Sequence, residues 1–150
     1  MIFTALGTIA AAATKTALIM GSTANIRPRI VRHQISTDGT PTSDQAIKVN
    51  VSRATALGTS TAVTFGFTDP SDSGVTPVLT AGSNCSAEPT YSGSPVDVYV
   101  GNPRFTYVWR EYDRDSHIIL PATASNGVGY QMTQVGGAAG NLVVTAWTQQ

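Results

Sequence analysis

The chain has 150 residues, of which 41% are hydrophobic and only 12% are Asp, Glu, Lys or Arg, and its formal net charge is zero. That length suffices for one domain with a sizeable core, and the hydrophobic content argues against disorder. The charged fraction is about half the usual value. The equal numbers of acidic and basic residues exclude the strong basic excess that is typical of a nucleic-acid-binding domain. We therefore expect that other copies of the chain or a partner protein cover part of the surface. The alternative is a β protein whose exposed surface consists mainly of Thr and Ser.

The first predicted element is the apolar segment of residues 1–13, which is rich in small residues and carries no charged side chain. We expect it to be an extended arm that contacts a partner outside the core, because terminal segments are loose unless something holds them. The alternative is a first sandwich strand over residues 2–9. Polar residues interrupt the segment and it lacks a basic leader, so it predicts neither a signal peptide nor a membrane span.

Alternation of apolar and polar residues with a period of two is the main signal in the rest of the chain. In "QAIKVNVSR" the side chains of Ile47, Val49 and Val51 share one face, as expected for a half-buried strand. Turn-forming Gly, Pro, Asn and Asp separate the runs of this kind. Further strands are predicted at residues 16–20, 26–35, 63–68, 96–100, 105–111, 117–120, 129–134 and 141–148.

Two stretches depart from this pattern. Pro28 cannot donate a hydrogen bond to a ladder, so its strand should lie at an edge or begin after the proline. Residues 69–95 are rich in Ser, Thr, Gly and Pro, and we predict long loops there. About nine short strands without a convincing amphipathic helix indicate a single all-β domain, an antiparallel β-sandwich of the jelly-roll type.

A charged stretch lies late in the chain. Residues 103–120, "PRFTYVWREYDRDSHIIL", hold six of the eighteen charged side chains, and no charged residue follows them. Phe105, Tyr107 and Trp109 would share one face of a strand and anchor the core or a subunit interface. Arg110 would lie on the opposite face, where it can reach a carboxylate.

Carboxylates and an imidazole occur at every second residue of this stretch. If the segment were extended, Glu111, Asp113 and Asp115 would share a face with the imidazole of His117 and could hold a divalent cation. We favour a strand that ends near Tyr112 and a charged turn with salt bridges within or between subunits. The prediction is a subunit or partner interface without a metal or cofactor. Its candidate residues are Trp109, Arg110, Glu111, Asp113 and Asp115.

Catalytic chemistry has little support in the sequence. His33 and His117 are the two imidazoles, and neither lies in a recognisable catalytic motif. Cys85 is the single cysteine, so it forms no intrachain disulfide, and we predict a buried thiol. We therefore expect a protein that is not an enzyme.

A basic cluster precedes the first histidine. In a regular strand Arg27 and Arg29 would share one face and Arg32 would lie on the other. Such a division breaks a continuous basic patch. We therefore predict a solvated edge or a pairing with acidic groups of a neighbour, and no nucleic-acid contact.

Several short motifs resemble those of small virion proteins of tailed phages. They lie in "QISTDGTPTSDQAIKVNVSRATALGTSTAVT", "DPSDSG" and "CSAEPT". The matching segments are residues 36–40, 49–53, 55–59, 69–71 and 87–90. The chain departs from the family at "EYDRDS", where members often carry a Gly/Pro turn, and in its uncharged last third.

The resemblance implies a jelly-roll sandwich that assembles on the virion, often as a trimer, without catalytic residues. Members of this kind are similar to capsid decoration, or cement, proteins on the outer capsid surface, where the major capsid protein is the partner. Others belong to tail or head fibres. The expectation is a homotrimeric decoration protein, and the alternative is a fibre head that binds a receptor or a glycan.

Overall fold

The computed structural model describes residues 1–9, 14–23, 25–38, 46–102, 104, 106–134 and 141–150. These residues form two antiparallel β-sheets and two short 3-10 helices. The strands are β1 (Ile2–Ile9), β2 (Lys15–Ser22), β3 (Arg29–Asp38), β4 (Ile47–Ala56), β5 (Thr59–Ala62), β6 (Gly66–Phe67), β7 (Leu79–Ala87), β8 (Thr90–Gly101), β9 (Tyr107–Arg110), β10 (Ile118–Ile119), β11 (Gly127–Gln134) and β12 (Asn141–Gln149). The all-β prediction is confirmed.

Eight of the strands have the pairing of a jelly roll. β1 pairs with β12, β2 with β11, β3 with β9 and β4 with β8, so the first strand meets the last and the pairing proceeds inward along the chain. β12 also pairs with β3 and β11 with β4, which joins alternate pairs into two sheets. The sheets are β1–β12–β3–β9 and β2–β11–β4–β8, the order obtained when an eight-stranded hairpin wraps around a core. The predicted jelly-roll sandwich is therefore correct.

The remaining strands extend these sheets. β6 continues the first sheet beyond β1, and β10 pairs with β3 next to β9. β7 and β5 continue the second sheet beyond β2. Since β3 begins directly after Pro28, the proline lies outside the ladder, as predicted.

The N-terminal segment is part of the core, and the prediction of an external arm is wrong for residues 2–9. β1 pairs with β12 along its whole length and with β6 on its other edge. Phe3 and Ala5 are fully buried, and a side chain at Gly7 would overlap Ala17 and Leu18 of the facing sheet. Residues 10–13 of the predicted arm lie outside the described residues.

The predicted long loop of residues 69–95 is also wrong for much of its length. A 3-10 helix, Pro70–Gly74, comes first, and β7 and the first half of β8 follow. The strand β7, "LTAGSNCSA", is built from small residues and buries only Leu79, Gly82 and Cys85. A composition typical of loops therefore forms a ladder here, because β2 offers it an edge to pair with.

The core lies between the two sheets. The inward side chains of both sheets alternate with outward ones, and each large apolar side chain buried there contributes about 1.5–3 kcal/mol to stability. No helix in the described ranges is long and apolar enough to cross a membrane. The largest fully buried side chains include Tyr130, Phe3, Leu18, Met20, Ile30, Ile35, Ile47 and Leu120.

Candidate functional site

A row of large polar and aromatic side chains crosses the outer face of the first sheet. Trp147 of β12 is the register partner of Arg32 in β3, and Arg32 is in turn the partner of Arg110 in β9. The guanidinium of Arg32 lies over the Trp147 ring, 4.2 Å from its centroid. Two arginines therefore stand side by side on neighbouring strands, an arrangement in which like charges repel.

The two arginines have few polar partners. Neither forms an ion pair with a carboxylate of the described residues. Arg32 makes one long hydrogen bond of 3.5 Å to Gln34, and its buried Nε has no partner in the described chain. Arg110 instead lies over the ring of Tyr112, 4.8 Å from its centroid. The predicted intrachain salt bridge of Arg110 is therefore not formed in this part of the molecule.

A β-bulge brings a third arginine to the same face. The register between β3 and β12 shifts, so that Val31 is an extra residue between two paired positions. Arg29 therefore stands opposite Gln149, and Arg32 stands opposite Trp147, on one side of the sheet. The prediction that Arg29 and Arg32 lie on opposite faces is wrong, because it assumed a regular alternation.

Side chains of this row line a groove of about 400 Å³ on the outer face of the sheet. The polypeptide between β9 and β10 forms one side, and the backbone N–H of Glu111 donates to the carbonyl oxygen of Val31. His117 lines the groove and has a buried Nδ1 without a partner among the described residues. Tyr112 is 83% exposed. The residues that define this arginine groove are Arg32, Arg110, Glu111, Tyr112, His117 and Trp147.

The predicted charged turn is present beside the groove. β9 ends at Arg110, and Arg114–Ser116 form a 3-10 helix. The Asp113 carboxylate caps this helix by accepting from the N–H of Asp115 at 3.1 Å. The segment is therefore not extended, and the described residues contain no group of three or more His, Cys, Asp or Glu that could hold a metal ion. Since the structure is that of one chain, the subunit contact through Glu111, Asp113 and Asp115 stays a prediction.

The aromatic residues of β9 point the other way, into the sandwich. Trp109 stacks on the ring of His33, with the ring centroids 4.9 Å apart and an angle of 13° between the planes. Tyr107 lies on the same inner side and stacks on Tyr99 of the facing sheet. The prediction that Tyr107 and Trp109 share a face is confirmed, and both rings pack against the core, the first of their two predicted roles. A contact of Trp109 with another subunit stays a prediction, and Phe105 lies outside the described residues.

A buried polar cluster joins the two sheets behind these rings. His33 of the first sheet is fully buried, and its Nε2 lies 3.1 Å from the Asp97 Oδ2 of the second sheet. The hydroxyl of Tyr107 donates to the same oxygen at 3.1 Å. The Tyr130 ring packs edge-on against the imidazole. The carboxylate therefore accepts two hydrogen bonds from the opposite sheet and fixes the distance between the sheets at this edge.

Burial sets the protonation state of the cluster. It lowers the pKa of His33 from 6.5 to about 4, although Asp97 acts in the opposite direction. The imidazole is therefore neutral at pH 7, with its Nε2 proton held by Asp97. Burial also raises the pKa of Tyr107 to about 12, so its hydroxyl remains a donor. Since the imidazole has no exposed surface, the cluster acts as a structural link between the sheets.

Sequence reasoning missed Arg32, Trp147 and His117 as members of one site. They lie on three different parts of the chain, and only the jelly-roll pairing brings them together. One signal was present in the sequence, because Arg110 and Trp147 each occupy an outward position of an alternating strand. Comparison with protein-family models, with curated proteins and with solved structures found no match to this chain.

Proposed function

We propose that this chain is a structural protein of a tailed-phage virion, which decorates the outer capsid surface and binds the major capsid protein. The observation that carries the proposal is the apolar outer edge of β8, which pairs with no further strand of the described residues. Val96, Val98 and Val100 are 42%, 43% and 60% exposed along one face of this edge strand. An exposed apolar edge strand is a liability for an isolated domain and a contact surface for an assembled one.

Two further features support an assembled protein. Only 12% of the residues are charged, which is little for a small domain that stays separate in solution. The His33–Asp97 contact and the Tyr99–Tyr107 stack join the two sheets at the edge where β8 and β9 meet. A sandwich joined in this way and carrying an apolar edge suits a homotrimer that bridges neighbouring capsid subunits and opposes the outward pressure of packaged DNA. Each contact needs only a few kcal/mol, because it is repeated over the whole shell.

A fibre head that binds a receptor or a glycan is the second candidate function. The arginine groove favours it, since Tyr112 offers an exposed ring beside two guanidinium groups that form no ion pair with a carboxylate of the described residues. Tyr91, the aromatic residue of residues 69–95, gives no support. It is partly buried, and its hydroxyl is 2.8 Å from Thr16 Oγ1.

The decoration proposal is tested by assembly of the purified chain. We expect light scattering to report a trimer at micromolar concentration. We also expect the protein to sediment with empty expanded shells of the major capsid protein encoded in the same genome. A species with the mass of one chain, together with no binding to shells, would overturn the proposal.

A pair of charge substitutions locates the contact surface. Val100→Asp places a carboxylate on the apolar edge and should abolish either trimer formation or shell binding, because the contact would bury an unpaired charge. Val75→Asp is the matched control, since Val75 is also exposed but follows the 3-10 helix Pro70–Gly74, away from β8. Both variants should keep the circular dichroism spectrum of the parent. Equal behaviour of the two variants in both assays would exclude the β8 edge as the contact.

A further inference from the structure

We propose that the arginine groove binds a carboxylated sugar, a uronic or sialic type of saccharide unit. The first reason is the placement of Arg32 and Arg110 as direct neighbours on adjacent strands without a described carboxylate partner. Like charges in this position destabilise a sheet, and a bound anion removes that cost. The planar guanidinium presents parallel N–H donors that match a carboxylate in two-point contact.

The charge of the groove selects a ligand with one negative charge. Two guanidinium groups and the carboxylate of Glu111 line the cavity, which leaves a local excess of about one positive charge. A carboxylate balances that excess, whereas a phosphate dianion would leave the groove with a net negative charge beside Glu111. Arg32 and His117 also line the cavity, and the buried Nε of Arg32 and the buried Nδ1 of His117 have no hydrogen-bond partner among the described residues.

The remaining lining fits a sugar ring better than a peptide. Tyr112 is 83% exposed, and the C–H surface of a pyranose can stack on the ring face that the Arg110 guanidinium does not cover. The Glu111 carboxylate can accept hydrogen bonds from sugar hydroxyl groups, and so can the Thr68 hydroxyl oxygen, whose proton is donated to the carbonyl oxygen of Ile2. An extended peptide needs an unpaired strand edge, and along the groove the edge of β3 is already paired with β9 and β10. The volume of about 400 Å³ lies within the usual range for a small-molecule site.

The inference does not depend on the assembly role, and binding of a sugar is measured on the purified full chain. The probes are D-glucuronate and N-acetylneuraminate, titrated by calorimetry and by NMR chemical-shift mapping. We expect at least one of them to bind at millimolar concentration or tighter and to shift the indole signal of Trp147. D-Glucose, which lacks the carboxylate, and acetate, which lacks the ring, should bind at least tenfold more weakly.

Two arginine variants assign the binding to the groove. Arg110→Ala should weaken the acidic sugar by roughly 10-fold to 100-fold, the cost of losing hydrogen bonds to a charged group. Arg114→Ala is the matched control, since Arg114 lies four residues after Arg110 in the following 3-10 helix and is exposed but does not line the groove. Glu111→Gln should weaken the sugar and leave acetate unchanged or slightly improved.

Several results would overturn the inference. If glucose bound as tightly as glucuronate, the carboxylate would have no role in binding. If acetate bound as tightly as glucuronate, the sugar ring would have no role. An Asp-Glu peptide that binds more tightly than either acidic sugar would identify the groove as a protein contact. Equal losses of affinity in Arg110→Ala and Arg114→Ala would show that the groove is not the binding site. Failure of both acidic sugars to bind at the highest concentration tested would show the same.

Discussion

Removal of residues 1–9 should abolish folding of the chain. These residues contain β1, which lies between β12 and β6 and buries Phe3 and Ala5 completely. Without β1 the long edge of β12 and the interior of the sandwich would open to water. Since whole domains are stable by only about 5–15 kcal/mol, the loss of a central strand exceeds what the fold can tolerate. Circular dichroism and the dispersion of amide NMR signals measure the outcome.

Point substitutions in the same strand provide the control. Phe3→Ala should destabilise the domain by about 3–5 kcal/mol, because Phe3 packs edge-on against Phe65 and Phe67 in a fully buried position. Leu6→Ala, on the outer face with 53% exposure, should cost no more than about 0.5 kcal/mol in urea denaturation. A deletion variant that remains folded and loses only its partner contacts would instead support an external N-terminal arm.

The prediction for β1 was wrong for a physical reason. The alternation of Phe3, Ala5, Gly7 and Ile9 with polar or exposed neighbours is present, but two of the four inward residues are small and carry little hydrophobic signal. The fold requires the small size of Gly7, because the two sheets approach closely there. A pattern method that scores apolar bulk therefore misses a strand whose inward side faces a narrow part of the core.

The same limit explains which other elements could be predicted. β4, with Ile47, Val49 and Val51, is alternating and bulky, and its position followed from the sequence. β7 has neither property, and its pairing with β2 on one side and β5 on the other decides its structure. The bulge at Val31 changes the face of every residue beyond it, and a one-residue shift of this kind leaves no trace in composition.

The candidate site was predictable only in part. Arg110 on the outer face and Trp109 on the inner face followed from strand alternation. The partner of each residue depends on topology instead. Asp97 reaches His33 across 64 residues of sequence and from the opposite sheet, and the Trp147–Arg32 contact joins the last strand to the third.

Acid should destabilise this domain through His33. The pKa of His33 is lowered by burial to about 4 in the fold, whereas an exposed imidazole in the unfolded chain titrates near 6.5. The unfolded chain therefore binds a proton that the folded chain rejects. Stability from this residue is complete above pH 6.5, falls as the pH is lowered through 6.5, and is lost by about pH 4.

A substitution at His33 isolates this effect from other titrating groups. Between pH 7 and pH 4 the parent should lose about 3 kcal/mol more unfolding free energy than His33→Phe, which retains a flat ring against Trp109 without a titratable nitrogen. Asp97→Asn keeps an acceptor for His33 and Tyr107 but removes the charge that opposes the fall in the His33 pKa. The acid-induced loss of unfolding free energy should then extend to a lower pH than in the parent. Urea denaturation at several pH values gives these free energies, and parallel pH profiles of the parent and His33→Phe would show that the imidazole is not the acid-sensitive group.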